Sequence, residues 1–368
     1  MKVLLVGNFA RDKQFSMLGF GNFIVDGLKG SEIDTEFLSP TPVVSKFIRI
    51  PGSRQRFIDY IDKYILFPKR LKKRARECDL VHVLDQGNGM YLSMVRGVKT
   101  LVTVHDVLAI RAARNEIDYW KIGASGKKYQ SLITEGLQQA DMAVCVSENT
   151  RRELLELVDK PEDWAEVIPN AIYRPIEKIT GERAETYLKQ AGVKKPYLLH
   201  VGGNQPYKNR AGAIEAFAAL EKAEAERYDY VMAGKALPQH LQERIQELGL
   251  EKRIKRLVMP TDEQINILYS NAEALVYPSL TEGFGLPLIE AATVDCPVVT
   301  SNRPPMSEIV EPEAPKFDPT SPDDVAATVL EALKDRAKLI ELGRRSLQRF
   351  QKEDVLKRYA EIYRSLAG

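Results

Sequence analysis

No apolar run in this 368-residue sequence approaches the ~20 residues that a membrane-spanning helix requires, so a helical span is not expected. The apolar stretch after Met1 is also too short for a signal-peptide core and reads better as a first buried strand. Cysteine is scarce. Cys78, Cys145 and Cys296 are odd in number and far apart, which excludes a disulfide framework and any zinc-type spacing. A reducing cytoplasm is the compartment that this usage predicts. No Asp-x-Asp pair occurs, so one common means of holding Mg²⁺ or Mn²⁺ against a phosphate is missing. Low-complexity segments and internal repeats are absent. A net charge of +2 gives no general attraction to nucleic acid, and no recognition motif for it is present.

What remains is an ordinary globular composition, 44% hydrophobic and 28% charged, of a length that suits two domains. Short β-branched runs alternate with helical patterns. Strands are expected at 2–6, 35–38, 80–84, 100–104 and 142–146, then at 197–201, 228–233, 256–258, 274–277 and 297–300. Most are continuous apolar runs, as for strands buried on both faces of a parallel sheet. Amphipathic stretches such as 209–223 and 241–248 lie between them. The alternation predicts an α/β fold with doubly wound sheets. Two such series flank Ile168–Pro175, whose two prolines read as a linker. The expected division is 1–170, 176–349 and a C-terminal helix over 350–368. That helix carries Leu356, Tyr359, Ile362 and Tyr363 on one face and is expected to cross back to the N-terminal domain.

The stretch Ser279-Leu-Thr-Glu-Gly-Phe-Gly-Leu-Pro-Leu-Ile-Glu-Ala-Ala292 follows an apolar strand and opens a helix. Pro287 suits a first helical turn, where a missing N–H does no harm. Gly283 and Gly285 let the backbone approach a ligand, and free N–H groups at a helix start attract phosphate. Glu282 lies before the helix and Glu290 about one turn inside it. A carboxylate accepts from both hydroxyls of a vicinal diol, so one can meet a sugar and the other a ribose. A strand–turn–helix corner with a capping Glu is the plainer alternative. The stretch resembles the Glu-x7-Glu signature of family 4 retaining glycosyltransferases, which have the GT-B fold of two Rossmann-like domains facing each other across a cleft. The resemblance covers most of the chain, most strongly Val144–Asn302. It implies that Glu282 lies near the donor sugar and that Glu290 binds the nucleotide ribose. It further implies that Gly283, Phe284, Gly285 and Leu286 face the sugar and phosphates.

Other segments fit the same reading. In His200–Arg210, Gly203 and Asn204 form a tight loop, and Lys208 or Arg210 is suited to meet a diphosphate as charge develops on it. The family's diphosphate-binding loop has a Lys matching Lys208. Many members also carry an Arg soon after the glycine, where this chain has Gly203-Asn204; Arg210 is a candidate substitute that spacing alone does not establish. Gly19 and Gly21 resemble the family's glycine-rich loop facing diphosphate and acceptor, although the Gly-x-Gly-x-x-Gly spacing of dinucleotide folds is absent. His105 ends a strand, where side chains point into the ligand crevice of α/β proteins, and it resembles the family's His near the reacting sugar. A satisfied structural His is the alternative. His82 reads as core and His240 as surface. Thr150-x-x-Glu153 has the form of a capping box.

Together these imply transfer of a hexose from a nucleoside-diphosphate sugar, of UDP-glucose or GDP-mannose type, to a glycan or lipid-linked glycan acceptor. The catalytic set is His105, Glu282 and Lys208. No metal and no cofactor are expected, because Lys208 and a helix N-terminus are available to the leaving group. A non-catalytic membrane-associated sugar-binding subunit and a nucleotide-sugar epimerase of the same architecture stay open. Residues 46–76 hold eleven Lys or Arg against two Asp, mixed with bulky apolar side chains. That mixture suits an anionic membrane surface, so peripheral attachment at the cytoplasmic face is expected beside the alternative of a solvated basic helix.

Overall fold

Valine, isoleucine and leucine runs too short for helices pair here into two parallel sheets. The computed structural model describes residues 1–12, 14–48, 55–224 and 227–368. The chain divides into two compact units: Met1–Tyr173 together with Lys352–Gly368, and Arg174–Gln351. The boundary falls inside the proline-bearing segment 168–175.

In the first unit the strands are β1 (Lys2–Val6), β2 (Asp34–Leu38), β3 (Leu80–Val83), β4 (Lys99–Val104), β5 (Met142–Cys145) and β6 (Ala165–Val167). Their order is β2-β1-β3-β4-β5-β6, all parallel. Successive side chains alternate between faces. Leu4, Val6, Val81, Val83, Val102 and Val104 enter one core, and Val3, Leu5, Leu80, Leu101 and Val144 enter the other. The second core is closed by helices Phe15–Gly27 and Lys352–Ala367, the latter through Val355, Tyr359, Ile362 and Tyr363. His82 is fully buried under it. Its ring nitrogens bond to Tyr363 Oη at 2.7 Å and Thr103 Oγ1 at 2.8 Å, and burial holds its pKa down at about 3. It is a core histidine, as its place on a strand suggests.

In the second unit the strands are β7 (Tyr197–Gly202), β8 (Asp229–Gly234), β9 (Ile254–Val258), β10 (Ala274–Tyr277), β11 (Val298–Ser301) and β12 (Lys316–Phe317). The parallel order is β12-β11-β10-β7-β8-β9. Each order reverses direction once, between β1 and β3 in the first sheet and between β7 and β10 in the second. Ligands of open α/β sheets bind outside the carboxyl ends of the strands at such a switch point.

Two local expectations are corrected. Thr150 is not a helix cap: Ser147 caps the helix Glu148–Leu155 by accepting from Thr150 N at 3.0 Å, so Thr150 already lies inside the helix. Gly19 and Gly21, expected where a ligand-facing loop opens into a helix, lie inside that helix, which already starts at Phe15. They are close-packing positions. A Cβ on Gly19 would come within 3.1 Å of the Tyr173 ring, and one on Gly21 within 3.3 Å of the Phe37 ring.

Candidate active site

The second unit's switch point is built from the loops that follow β7 and β10. The chain leaves β7 through Gly203 and Asn204 and makes one 3-10 turn, Pro206–Lys208. At Asn209 it enters the left-handed region, with φ 51°. Asparagine tolerates that region because its short amide bonds locally. The Asn209 side chain caps helix Arg210–Ala223 by accepting from Gly212 N at 3.2 Å. Its Nδ2 donates to Pro278 O at 3.0 Å and Pro319 O at 2.8 Å. One side chain thereby ties the loops after β7, β10 and β12.

This geometry points Lys208 at the second loop. Its Nζ lies 2.7 Å from Glu282 Oε1, 2.9 Å from Glu282 Oε2 and 2.9 Å from Tyr277 Oη. Tyr277 Oη donates to Glu282 Oε1 at 2.8 Å. The Glu282 and Lys208 side chains are only 8% and 16% exposed, so the pair acts in a low-dielectric setting. Burial, and then the Glu282 charge, pushes the Tyr277 hydroxyl far above its ordinary value, so it stays a donor. A cation, a carboxylate and a phenol thus converge where β7 and β10 part. Beside them Gly285, at φ 117°, caps the helix Leu286–Thr293, with Pro287 in its first turn.

The remaining sequence-predicted residues of this unit are distributed as follows. Arg210 is 4% exposed and its NH1 donates to Asn204 Oδ1 at 2.6 Å and Lys235 O at 2.7 Å. Asn204 Nδ2 in turn donates to Ala236 O at 2.7 Å. These two brace the Gly203 loop to the loop after β8, and it is Lys208 that meets Glu282. The Phe284 ring is buried edge-on against Phe350 at 5.5 Å. Glu290 projects from the Leu286–Thr293 helix and is held by a residue the sequence reading missed. Arg174 Nε donates to its Oε1 at 2.6 Å and Arg174 NH2 to its Oε2 at 2.9 Å. Tyr269 Oη adds a third bond, to Oε2, at 3.1 Å.

In the first unit, residues after β1, β3 and β4 gather at the other switch point. Asn8 Nδ2 donates to Asp85 Oδ2 and Gln14 Oε1, and Asn88 Nδ2 donates to Asn8 Oδ1 at 3.2 Å. Asp85 Oδ1 accepts from Gly87 N at 2.7 Å. His105 is 6% exposed, and its backbone N donates to Gln86 Oε1 at 2.8 Å. Burial lowers the His105 pKa against the opposing pull of the Asp85 charge, so the ring is neutral. Nε2 lies 3.0 Å from Leu84 O, which can only accept, so the proton sits on Nε2. Nδ1 is therefore an acceptor, and it has no hydrogen-bond partner among the described residues. Asp85 was not singled out by sequence. Its position at a strand end was the available signal, but the sheet order that makes it matter is a tertiary property.

The basic segment is partly engaged within its own unit. Lys63 pairs with Asp12 at 2.6 Å, and Arg74 with Glu36 at 2.5 Å and Glu77 at 2.6 Å. Lys69, Lys72 and Lys73 are exposed, as are Phe47 at 81%, Phe57 at 68% and Ile65 at 53%. Residues 49–54 and the Arg56 side chain lie outside the described residues. No helix among the described residues is long and apolar enough to cross a membrane.

Comparison with known proteins gives a consistent picture. Residues 27–173 match the family described as Glycosyltransferase Family 4, and residues 185–349 match Glycosyl transferases group 1. The chain is 30% identical over 208 residues, 55% of its length, to the O-antigen chain mannosyltransferase B of Escherichia coli. It is 27% identical over 256 residues, 68% of its length, to the serotype-specific mannosyltransferase WbdA of the same organism. The matches span 54% and 31% of those two relatives. Among solved structures, Anabaena HepE in complex with UDP and glucose aligns over 100% of both chains, with a TM-score of 0.74 at 17% identity.

Proposed function

The chain belongs to glycosyltransferase family 4, with the GT-B fold, and from that membership we propose that it transfers a hexose from a nucleoside-diphosphate sugar to a glycan acceptor. The observation that carries this reading is the buried Lys208–Glu282–Tyr277 cluster at the β7/β10 switch point. The mannosyltransferase relatives favour GDP-mannose over UDP-glucose as the donor, and an O-antigen-like polysaccharide as the acceptor class.

In the proposed reaction the bond from the anomeric carbon to the diphosphate oxygen breaks. A bond to the acceptor oxygen forms on the same face, and the acceptor proton passes to the leaving phosphate. The front-side route follows from the resemblance to a retaining family. Negative charge grows on the diphosphate as it leaves. Lys208 meets it by exchanging its bonds to Glu282 for bonds to phosphate, in a buried site where a cation is worth more than in water. Glu282 then accepts from a sugar hydroxyl, and in the first unit neutral His105 offers its Nδ1 lone pair to a hydroxyl donor. Lys208 supplies the cation that a divalent metal supplies elsewhere, so turnover is expected to persist in a chelator.

The test is nucleoside diphosphate release from GDP-mannose and from UDP-glucose, each with and without a mannose-containing oligosaccharide, in EDTA. Acceptor-dependent release of GDP is expected. Binding without release would favour a non-catalytic sugar-binding protein, and conversion of the donor sugar without an acceptor would favour an epimerase.

We further propose that the first unit docks on anionic membrane, which would bring it to a lipid-linked acceptor. Exposed Lys69, Lys72 and Lys73 with Phe57 and Ile65 support this reading. Cosedimentation with phosphatidylglycerol vesicles is expected at low salt and is expected to fall when the three lysines become Gln. No binding at low salt leaves a solvated basic helix.

A further inference from the structure

Glu290 is better occupied than a ligand-binding carboxylate needs to be. An ionised carboxylate offers about four lone-pair directions. Arg174 Nε takes one on Oε1, while Arg174 NH2 and Tyr269 Oη take both on Oε2. One direction is left, on Oε1. The Glu290 side chain is 12% exposed and that of Arg174 20%, so the fork is largely shielded from water.

The partners are themselves held. Arg174 NH1 donates to Asn266 Oδ1 at 3.4 Å and lies 3.7 Å from Asp262 Oδ1. Asn266 Nδ2 donates to Pro175 O at 3.3 Å, which fastens the backbone next to Arg174 to the helix Asp262–Asn271. Burial works against the charge on Arg174, and the bonds to Glu290 together with the charges of Glu290, Tyr269 and Asp262 more than offset it, so the guanidinium stays charged. Tyr269 is fully buried, and burial with the Glu290 charge keeps its hydroxyl protonated. The carboxylate plane is therefore fixed from two sides by donors that do not titrate away.

We propose that Arg174 is a positioning residue for donor recognition: with Tyr269 it fixes Glu290 so that Oε1 accepts from a single ribose hydroxyl. This rests on the reading of Glu290 as the ribose contact and narrows it. The sequence allowed Glu290 both hydroxyls of the diol, and the geometry leaves room for one. The bidentate fork sets the angle of the carboxylate, which a lysine point charge cannot do.

The experiment is calorimetric binding of GDP and UDP, each with its 2′-deoxy and 3′-deoxy forms, to the full chain and to R174A and R174K. For wild type, one of the two deoxy forms of the bound nucleotide is expected to bind about tenfold more weakly. The other is expected to stay within about twofold. In both variants that contrast is expected to shrink below about threefold, with Lys failing to rescue it. Contrast retained in R174K or R174A overturns the positioning role, as does tighter binding of the parent nucleotide to R174A, which would make Arg174 a competitor of ribose. Equal weakening of both deoxy forms in wild type overturns the single-hydroxyl geometry. Indifference of wild type to both overturns the ribose reading of Glu290 itself. R174K keeps the charge and stem, so it serves if R174A does not fold.

Discussion

Lys208, Glu282 and Tyr277 form a closed set of hydrogen bonds, so removing one member leaves the others buried and short of partners. From the sequence, Glu282 reads as a loop carboxylate facing a ligand, whose truncation to alanine is expected to leave folding intact. Its 6% exposure changes that expectation. Glu282→Ala leaves the Lys208 ammonium with Tyr277 alone and is expected to cost roughly 1–3 kcal/mol of stability. Glu282→Gln keeps an acceptor toward Lys208 and is expected to melt within a degree or two of wild type while turning over slowly. Lys208→Ala is expected to lower kcat about 10²-fold or more, with a smaller change in donor KM, because in the proposed reaction its charge acts as the diphosphate departs. Thermal melts beside steady-state kinetics check both. An unchanged kcat in a folded Lys208→Ala protein removes the leaving-group role. Glu282 and Glu290 stood out by their spacing around a glycine loop, and Lys208 and His105 by their places after strands, while the resemblance to family 4 supplied the role expected of each. Tyr277 was not, since a tyrosine closing an apolar strand reads as core. Nor was Arg174, which is joined to Glu290 across 116 positions of sequence by contacts that only the folded chain makes.

At the scale of elements, strands were the more readable class. Ten of the twelve were visible as apolar runs, with ends displaced by at most two residues. The two missed, β6 and β12, have three and two residues and lie at sheet edges, where too few side chains are buried to leave a periodic signal. Helix beginnings were harder. Ser147 rather than Thr150 is the cap before Glu148–Leu155, and the glycines at 19 and 21 sit in a helix because its neighbours approach closely, a tertiary demand. The Lys208 turn depends on such a demand too. Asn209 combines a left-handed backbone with three side-chain hydrogen bonds, two to different loops and one capping its own helix. Asn209→Ala loses all three and puts a Cβ-bearing residue without local bonding at φ 51°, at an expected cost of about 3 kcal/mol. Asn209→Gly relieves the backbone but not the lost bonds, so its unfolding midpoint is expected to fall between the two. Guanidinium titrations with an unchanged m-value measure this. A glycine variant no more stable than the alanine variant shows that the left-handed backbone contributes nothing.

At the scale of the whole molecule, the two units differ in how they are closed. Arg174–Gln351 is one continuous stretch with its own six-stranded sheet, and it contains Lys208, Glu282, Glu290, Arg174 and Tyr269. Met1–Tyr173 is not self-sufficient in the same way. One face of its sheet, with Val3, Leu5, Leu80 and Leu101, shares a core with Val355, Tyr359, Ile362 and Tyr363 from the far end of the chain. Exposing a buried side chain of that size costs roughly 1.5–3 kcal/mol, so uncovering several exceeds the ~5–15 kcal/mol by which a domain is normally stable. His82 and Thr103 would also lose their bonds to Tyr363 and Tyr359. A fragment of residues 1–173 is therefore expected to be unfolded or aggregated, and to fold when residues 352–368 are joined to it through a flexible linker. The fragment 174–351 is expected to melt cooperatively and to bind the nucleoside diphosphate within about threefold of the full chain, while transferring no sugar. Circular dichroism melts and calorimetry on the three polypeptides decide the matter. If 174–351 folds but loses nucleotide affinity by more than tenfold, groups of the first unit hold the nucleotide, and placing its binding wholly among Arg174–Gln351 is wrong.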